Sequence, residues 1–375
     1  PPDQRMIIRF TADRVSPETA KPPELERSNM TVANLHPTQT KNATATPRID
    51  PPARHLNYQR LAVTDRCNFR CTYCMPKEGI DLKARDDILG FKEMQHLLGI
   101  FLDLGVTKVR ITGGEPFVRK GLPDFLSRIN QYKKLETINL TTNAYFIEDT
   151  IPLFQKIKSG SINISLDSLK RDVFYQITRR DDFERVWNSI EKILLTDLNV
   201  KLNMVVLKGI NDNEIVDFAM LAKNNNVEVR FIEQMPFNGG HFSNDTLSAE
   251  GIINTLHNAF PEMVEHLKMQ SPARIFEIPG FSGKLGIIAG HSRTFCSTCS
   301  RLRLTPDGTF KTCLYDHGAV NLKDMLRSGK SDQEIKTAIR DAVSKRAKDG
   351  FESEQRAQQV IHFSKNHLSM AQIGG

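Results

Sequence analysis

The segment Tyr58-Gln-Arg-Leu-Ala-Val-Thr-Asp-Arg-Cys67-Asn-Phe-Arg-Cys71-Thr-Tyr-Cys74 runs from a β-rich stretch directly into three closely spaced cysteines. The stretch Tyr58–Thr64 alternates and branches as a strand does. The cysteines follow in the pattern CxxxCxxC, in the loop that strand feeds. Three thiolates can hold three irons of a cubane and leave the fourth iron without a protein ligand, whereas Fe–S clusters are ordinarily held by four cysteines. An open iron is a place where an outside ligand binds and reacts. The competing reading is a structural zinc site, with His55 or His96 as the fourth ligand.

Downstream of this segment, apolar β-rich runs recur at Lys108–Thr112, Thr137–Thr141, Ile162–Leu166, Val200–Leu207 and Val227–Glu233. Helix-patterned stretches lie between them, at Phe91–Leu104, Leu122–Tyr132, Thr150–Ile157, Phe183–Leu195 and Asn213–Lys223. Strands alternating with helices predict a parallel sheet with helical crossovers. Six such units predict an α/β fold, a partial (βα)6 parallel barrel over residues 53–238.

The rhythm changes in residues 239–375, where short strands are expected at Arg274–Ile278, Lys284–Ala289, Arg301–Thr305 and Thr309–Thr312. Ser331 and Glu334 have capping-box spacing, which predicts a helix start. This α+β extension carries a second triplet, Cys296-x2-Cys299-x13-Cys313. His317, four residues on, would complete a three-cysteine, one-histidine zinc knuckle, so spacing alone leaves zinc and iron–sulfur both open.

Upstream, residues 1–52 hold half of the 18 prolines and no glycine. Such a segment offers little to bury and is expected to be disordered. Its Arg and hydroxyl residues hint at an organelle transit region. The six cysteines fall in two tight groups in a 375-residue chain, unlike a small secreted disulfide framework. A net charge of +7 without any dense basic block fits a small polyanionic ligand, a solvated basic surface or nucleic acid. No apolar run approaches the length of a membrane span.

With Tyr73 before the last cysteine, the first triplet resembles the radical S-adenosylmethionine superfamily. Thr112-Gly113-Gly114-Glu115-Pro116 resembles that superfamily's GGEP element. The stretch Phe295–Gly308 ending at Cys313, together with Val63–Arg70, Lys208–Asp212, Arg230–Glu233 and the terminal Ile373-Gly374-Gly375, is similar to the GTP 3′,8-cyclase family. Two departures stand out: Ala144 occupies a place that often holds glycine, and a Phe-Gly-Arg element before Tyr58 is missing.

The resemblance implies two 4Fe–4S clusters, on Cys67, Cys71 and Cys74 and on Cys296, Cys299 and Cys313. It further implies S-adenosylmethionine bound by Tyr73, Gly114, Ser165 and Met235. GTP would be bound by Arg60, Lys108, Arg110, Thr141, Lys201, Arg230, Arg301 and Arg303, with Gly374 and Gly375 inserting into the active site. Cleavage of S-adenosylmethionine would give a radical that takes the 3′ hydrogen of GTP, whose 3′ carbon then attacks carbon 8 of guanine. The implied partners are an electron donor, the downstream cyclic pyranopterin monophosphate synthase and a second copy in a homodimer, with neither nucleic acid nor membrane. The implied location is the mitochondrial matrix, or the cytoplasm if the source is bacterial. A radical enzyme acting on a peptide, and a zinc-stabilised basic nucleic-acid-binding protein, are the alternatives.

Overall fold

The computed structural model describes residues 54–235, 237, 245–266, 272–359 and 369–374. The expectations for residues 1–52 and for Gly375 lie outside the described residues.

The parallel strands β1 (Tyr58–Ala62), β2 (Lys108–Thr112), β3 (Thr137–Thr142), β4 (Ser159–Ser165), β5 (Val200–Val206) and β6 (Glu228–Glu233) stand side by side in chain order. The helices that cross between them are α1 (Phe91–Asp103), α2 (Leu122–Ile129), α3 (Ile151–Phe154), α4 (Arg171–Thr178), α5 (Phe183–Leu194) and α6 (Ile215–Asn224). After helix α7 (Ala249–Ala259) come β7 (Val264–His266), β8 (Ala273–Glu277), β9 (Lys284–Ile288), β10 (Arg301–Leu304), β11 (Thr309–Lys311) and β12 (Val320–Asn321). The chain continues through α8 (Leu322–Arg327), α9 (Asp332–Ser344), α10 (Gly350–Gln359) and α11 (Met370–Ile373). No described helix is long and apolar enough to cross a membrane.

The twelve strands among the described residues form one sheet, ordered β12-β11-β10-β1-β2-β3-β4-β5-β6-β9-β8-β7. The later strands therefore do not make a separate layer. β9 pairs parallel with β6, and β10 pairs parallel with β1, so the C-terminal region lengthens the parallel sheet at both edges.

The two faces of the sheet differ in chemistry. Leu61, Val109, Ile111, Leu140, Ile164, Leu202 and Phe231 are buried in the core that packs under the helices. The alternate residues are mostly polar or charged, as with Lys201 and Asn203 in Val200–Val206, where buried and half-buried positions strictly alternate. A parallel sheet covered by helices on both faces reads as a continuous apolar run; this one keeps its inner face for something polar. On the outer side, α5 buries Phe183, Val186, Trp187, Ile190 and Ile193, the i, i+3, i+4, i+7 stripe of an amphipathic helix.

β4 begins at Ser159, earlier than its apolar run predicts, because Ser159-Gly-Ser161 pairs through a register shift against Ile138 and Leu140. Helix α4 escapes the periodicity reading because its eight residues bury only Phe174, Ile177 and Thr178. Ala144 adopts φ 63°, the left-handed region that favours glycine.

Candidate active site

The first triplet occupies the loop beyond the carboxyl end of β1, held by its neighbour. Gly114 N–H donates to Thr64 O at 2.8 Å, and Glu115 N–H to Arg66 O at 2.8 Å. A Cβ on Gly114 would lie 2.3 Å from Arg66 O and 3.1 Å from Cys67 Cβ, so the approach of the two loops requires glycine. The GGEP element thus fastens the cysteine loop by contact of backbones. Glu115 itself is buried and accepts from Thr142 Oγ1 at 2.8 Å and Asn143 N at 2.7 Å, tying in the end of β3.

Burial pushes the Cys67 thiol up to about 12, with Glu115 adding to it, and raises Cys71 and Cys74 as well. Tyr73 donates to Asp167 Oδ2 at 2.8 Å, and Val205 N–H to Asp167 Oδ1 at 2.9 Å. Burial lifts the Asp167 carboxyl to about 6. Sequence reading missed Glu115 as a brace and Asp167 as the partner of Tyr73. The second had a signal, a carboxylate two residues past Ser165 at a strand end.

The second triplet lies at the opposite end of the same strands. Cys296 and Cys299 precede β10, whose Arg301 pairs with Tyr58 at the start of β1; Cys313 follows β11, which returns antiparallel beside β10. Gly350 N–H donates to Cys296 Sγ at 3.3 Å, Arg346 donates to Cys299 O at 3.2 Å, and Cys313 N–H donates to Asp316 Oδ2 at 2.9 Å. Burial works upward on the Cys299 thiol, but Arg301 and Arg346 outweigh it and bring the thiol down to about 6. His317 is exposed and lies off the cavity, and His96 is engaged by Asp332 at 2.7 Å.

Between the two ends runs a cavity of about 620 Å³ lined by all six cysteines. The five residues of β1 separate its ends by roughly 13 Å at the usual rise of a strand. Tyr73, Gly114, Ser165 and Met235 line it, as do Arg60, Lys108, Arg110, Thr141, Lys201, Arg230, Arg301 and Arg303. The first triplet lies at the carboxyl ends of the strands. The cations instead climb the inner wall, and the second triplet sits at the amino ends.

The wall is electrostatically strained. Burial, then Arg303, Arg110 and Arg301, lower Arg60 well below its ordinary value, and burial with Arg301 brings Arg303 down to about 10. Cations crowded out of water in this way are relieved by an anion. Several of them are partly committed to the protein: Arg110 donates to Tyr58 Oη at 2.7 Å, Leu140 O at 2.6 Å and Ser161 Oγ at 2.7 Å. Arg303 donates to Gly374 O at 2.9 Å. Glu228 bridges Lys201 and Arg230, accepting from each at 2.5 Å.

Gly374 closes α11 at φ 85°, and a Cβ there would lie 2.6 Å from Ala62 Cβ. On the same short segment, Ser369 Oγ lies 3.8 Å from Cys74 Sγ. The tail therefore reaches from the first triplet to the cationic wall.

Among the described residues, no group of three or more His, Cys, Asp or Glu side chains is gathered closely enough for a single metal ion. At the first triplet, three sulfurs line one cavity wall, a donor set that suits a three-cysteine iron–sulfur cluster.

Residues 61–222 match the Radical SAM superfamily, and residues 227–351 match the Molybdenum Cofactor Synthesis C family. A GTP 3′,8-cyclase of Desulforamulus reducens is 40% identical over 304 residues, covering 79% of this chain and 92% of that protein. The chain belongs to the GTP 3′,8-cyclase family. A second GTP 3′,8-cyclase, from Moorella thermoacetica, is 40% identical over 294 residues, covering 78% of this chain and 91% of the relative. The molybdenum cofactor biosynthesis protein 1 of Dictyostelium discoideum is 41% identical over 299 residues, 78% of this chain. The chain spans about half the length of such relatives, 48% in that case.

Among solved structures, Streptococcus suis SuiB is similar with a TM-score of 0.52 at 15% identity, covering 76% of this chain and 68% of that one, a likeness of fold. For a GTP 3′,8-cyclase family chain, membership in the radical SAM superfamily implies a 4Fe–4S cluster and S-adenosylmethionine.

Proposed function

We propose that this chain converts GTP to 3′,8-cyclo-7,8-dihydro-GTP, the first step of molybdenum cofactor biosynthesis. The observation that carries the reading is the single cavity with a cysteine triplet at each end and cations along the wall between them. Cys67, Cys71 and Cys74 would hold the cluster that binds S-adenosylmethionine, and Cys296, Cys299 and Cys313 a second 4Fe–4S cluster facing the guanine. When bound, the first cluster and S-adenosylmethionine supply the one-electron chemistry that removes the 3′ hydrogen of the nucleotide.

The chain's own residues orient and exclude. Arg60, Arg230, Arg301 and Arg303 offer planar forks to phosphate oxygens, and Lys108 and Lys201 offer point charge. Glu228 keeps Lys201 and Arg230 together, so both cations are aimed before the triphosphate arrives. Arg110, braced by Tyr58 and Ser161, holds Thr141 toward the cavity at 3.3 Å. Tyr73, Gly114, Ser165 and Met235 line the part that would receive S-adenosylmethionine. Gly374 would seal the wall against water and support turnover. On the nucleotide, a bond forms between the 3′ carbon and carbon 8, and one electron and one proton replace the hydrogen atom removed. The product is therefore an isomer of GTP.

The same reading includes an electron donor, hand-over of product to a cyclic pyranopterin monophosphate synthase, a homodimer and a mitochondrial matrix location. Anaerobic incubation with GTP, S-adenosylmethionine and dithionite tests the chemistry. A new nucleotide peak of unchanged mass, with 5′-deoxyadenosine formed alongside it, is expected. Deoxyadenosine without a new nucleotide would instead favour a peptide substrate.

A further inference from the structure

The loop that bears the first triplet has a second face, turned away from the cavity of the active site. A concavity of about 630 Å³ opens on it, lined by Arg70, Lys77, Glu78, Tyr175, Arg179 and Arg180 among others. None of these takes part in the site described above. Four cations face one carboxylate there.

These cations rest on the backbone of the cysteine loop itself. The Arg70 guanidinium donates to Cys67 O at 2.6 Å and Phe69 O at 2.8 Å. Arg179 donates to Arg70 O at 3.0 Å and Met75 O at 3.2 Å, and Arg180 to Asn68 O at 2.9 Å. Backbone bonds from Arg70 N to Thr178 O at 3.0 Å and from Thr72 N to Ile177 O at 2.9 Å fasten the loop to the end of α4. One layer of arginine thus separates this surface from the carbonyls between the first two cysteines. Tyr175, 56% exposed on α4, adds a large amphipathic ring at the rim, the kind of residue enriched at protein interfaces.

We infer that this face is the docking surface for an acidic one-electron carrier protein of the ferredoxin type, which delivers electrons to the first cluster through the Cys67–Cys71 loop. The inference rests on the proposed function, since it presumes a cluster on that loop. The lumen side of the loop is turned to the substrates and overlaid by α11, so the outer face offers the donor access without crossing the nucleotide site. A patch of one sign against an oppositely charged partner raises the encounter rate and sets orientation. A nucleic acid would be attracted by the same charges, yet it has no use for contact with a cluster loop. One electron leaves the carrier and one enters the cluster; no bond forms or breaks and no proton moves.

The test uses the cluster-loaded protein, held anaerobic, with a reduced plant-type ferredoxin near −400 mV as the donor. Binding is read by anisotropy of labelled ferredoxin at low and high salt, and electron entry by bleaching of the iron–sulfur absorbance. Lys77→Glu, at an exposed position, should weaken binding severalfold. Lys77→Glu with Arg180→Glu should weaken it roughly tenfold or more and flatten its salt dependence. Reduction by dithionite, which needs no docking, should be unchanged in both. Wild-type ferredoxin affinity and bleaching rates in both variants would overturn the docking face, as would binding of a short RNA in place of ferredoxin. Failure of dithionite to drive S-adenosylmethionine cleavage in the wild type would instead overturn the reading of the active site.

Discussion

Gly374 shows how much one hydrogen in place of a methyl can decide. Its left-handed φ would cost another residue about 1–2 kcal/mol, and its neighbour Ala62 leaves no room for a Cβ. Gly374→Ala should displace the carbonyl that Arg303 holds and lower GTP turnover by roughly a hundredfold, the scale of a misplacement near 1 Å. Steady-state assays would show it, and turnover equal to wild type would remove the tail from the site. Glu214 is buried and accepts from Ser168 Oγ at 2.9 Å and Leu169 N at 2.7 Å. Burial holds its carboxyl above the usual glutamate value. The folded state therefore binds this proton more tightly than the unfolded state does. Its stabilisation is complete below about pH 4.5 and is lost as pH rises through the raised value. Glu214→Gln should flatten the fall in stability over that interval, measured as urea midpoints; an unchanged slope would assign the pH dependence elsewhere.

Elements differ in how plainly their sequences announce them. Helix α9 starts where a Ser and a Glu three residues later predict it: Ser331 Oγ accepts from Glu334 N at 3.3 Å, and Glu334 Oε2 accepts from Ser331 N at 2.9 Å. Ser331→Ala should cost about 1 kcal/mol of stability, visible in denaturant melts and as faster hydrogen exchange in the first turn of α9. By contrast, α4 was not legible, because its short stripe carries too few apolar residues for a period to stand out. The polar start of β4 was hidden for the opposite reason: strand pairing, not burial, holds it.

Across the whole molecule, β1 and β10 decide the geometry of the site. Their parallel pairing sets Arg303 beside Arg60 and puts the two triplets at opposite ends of one lumen. Because the ends are distinct, their chemistry should separate. Cys313→Ala should abolish GTP cyclisation while S-adenosylmethionine cleavage at the first triplet survives, followed as deoxyadenosine and nucleotide by chromatography. Equal loss of both activities would mean that the two ends are one structural unit.

Local patterns determined much of this protein: the strands and helices of the six repeating units, the two cysteine triplets and the capped helix at Ser331. Each depends on residues near one another in the chain, where alternation, helical period and ligand spacing can be read directly. The tertiary structure alone decided that strands from the C-terminal region join both edges of the barrel sheet. It also decided that the cations line the lumen rather than its rim, that Asp167 meets Tyr73, and that Gly374 returns to Arg303. Those pairings join residues tens to hundreds of positions apart, and no local period encodes which distant strand an edge will accept.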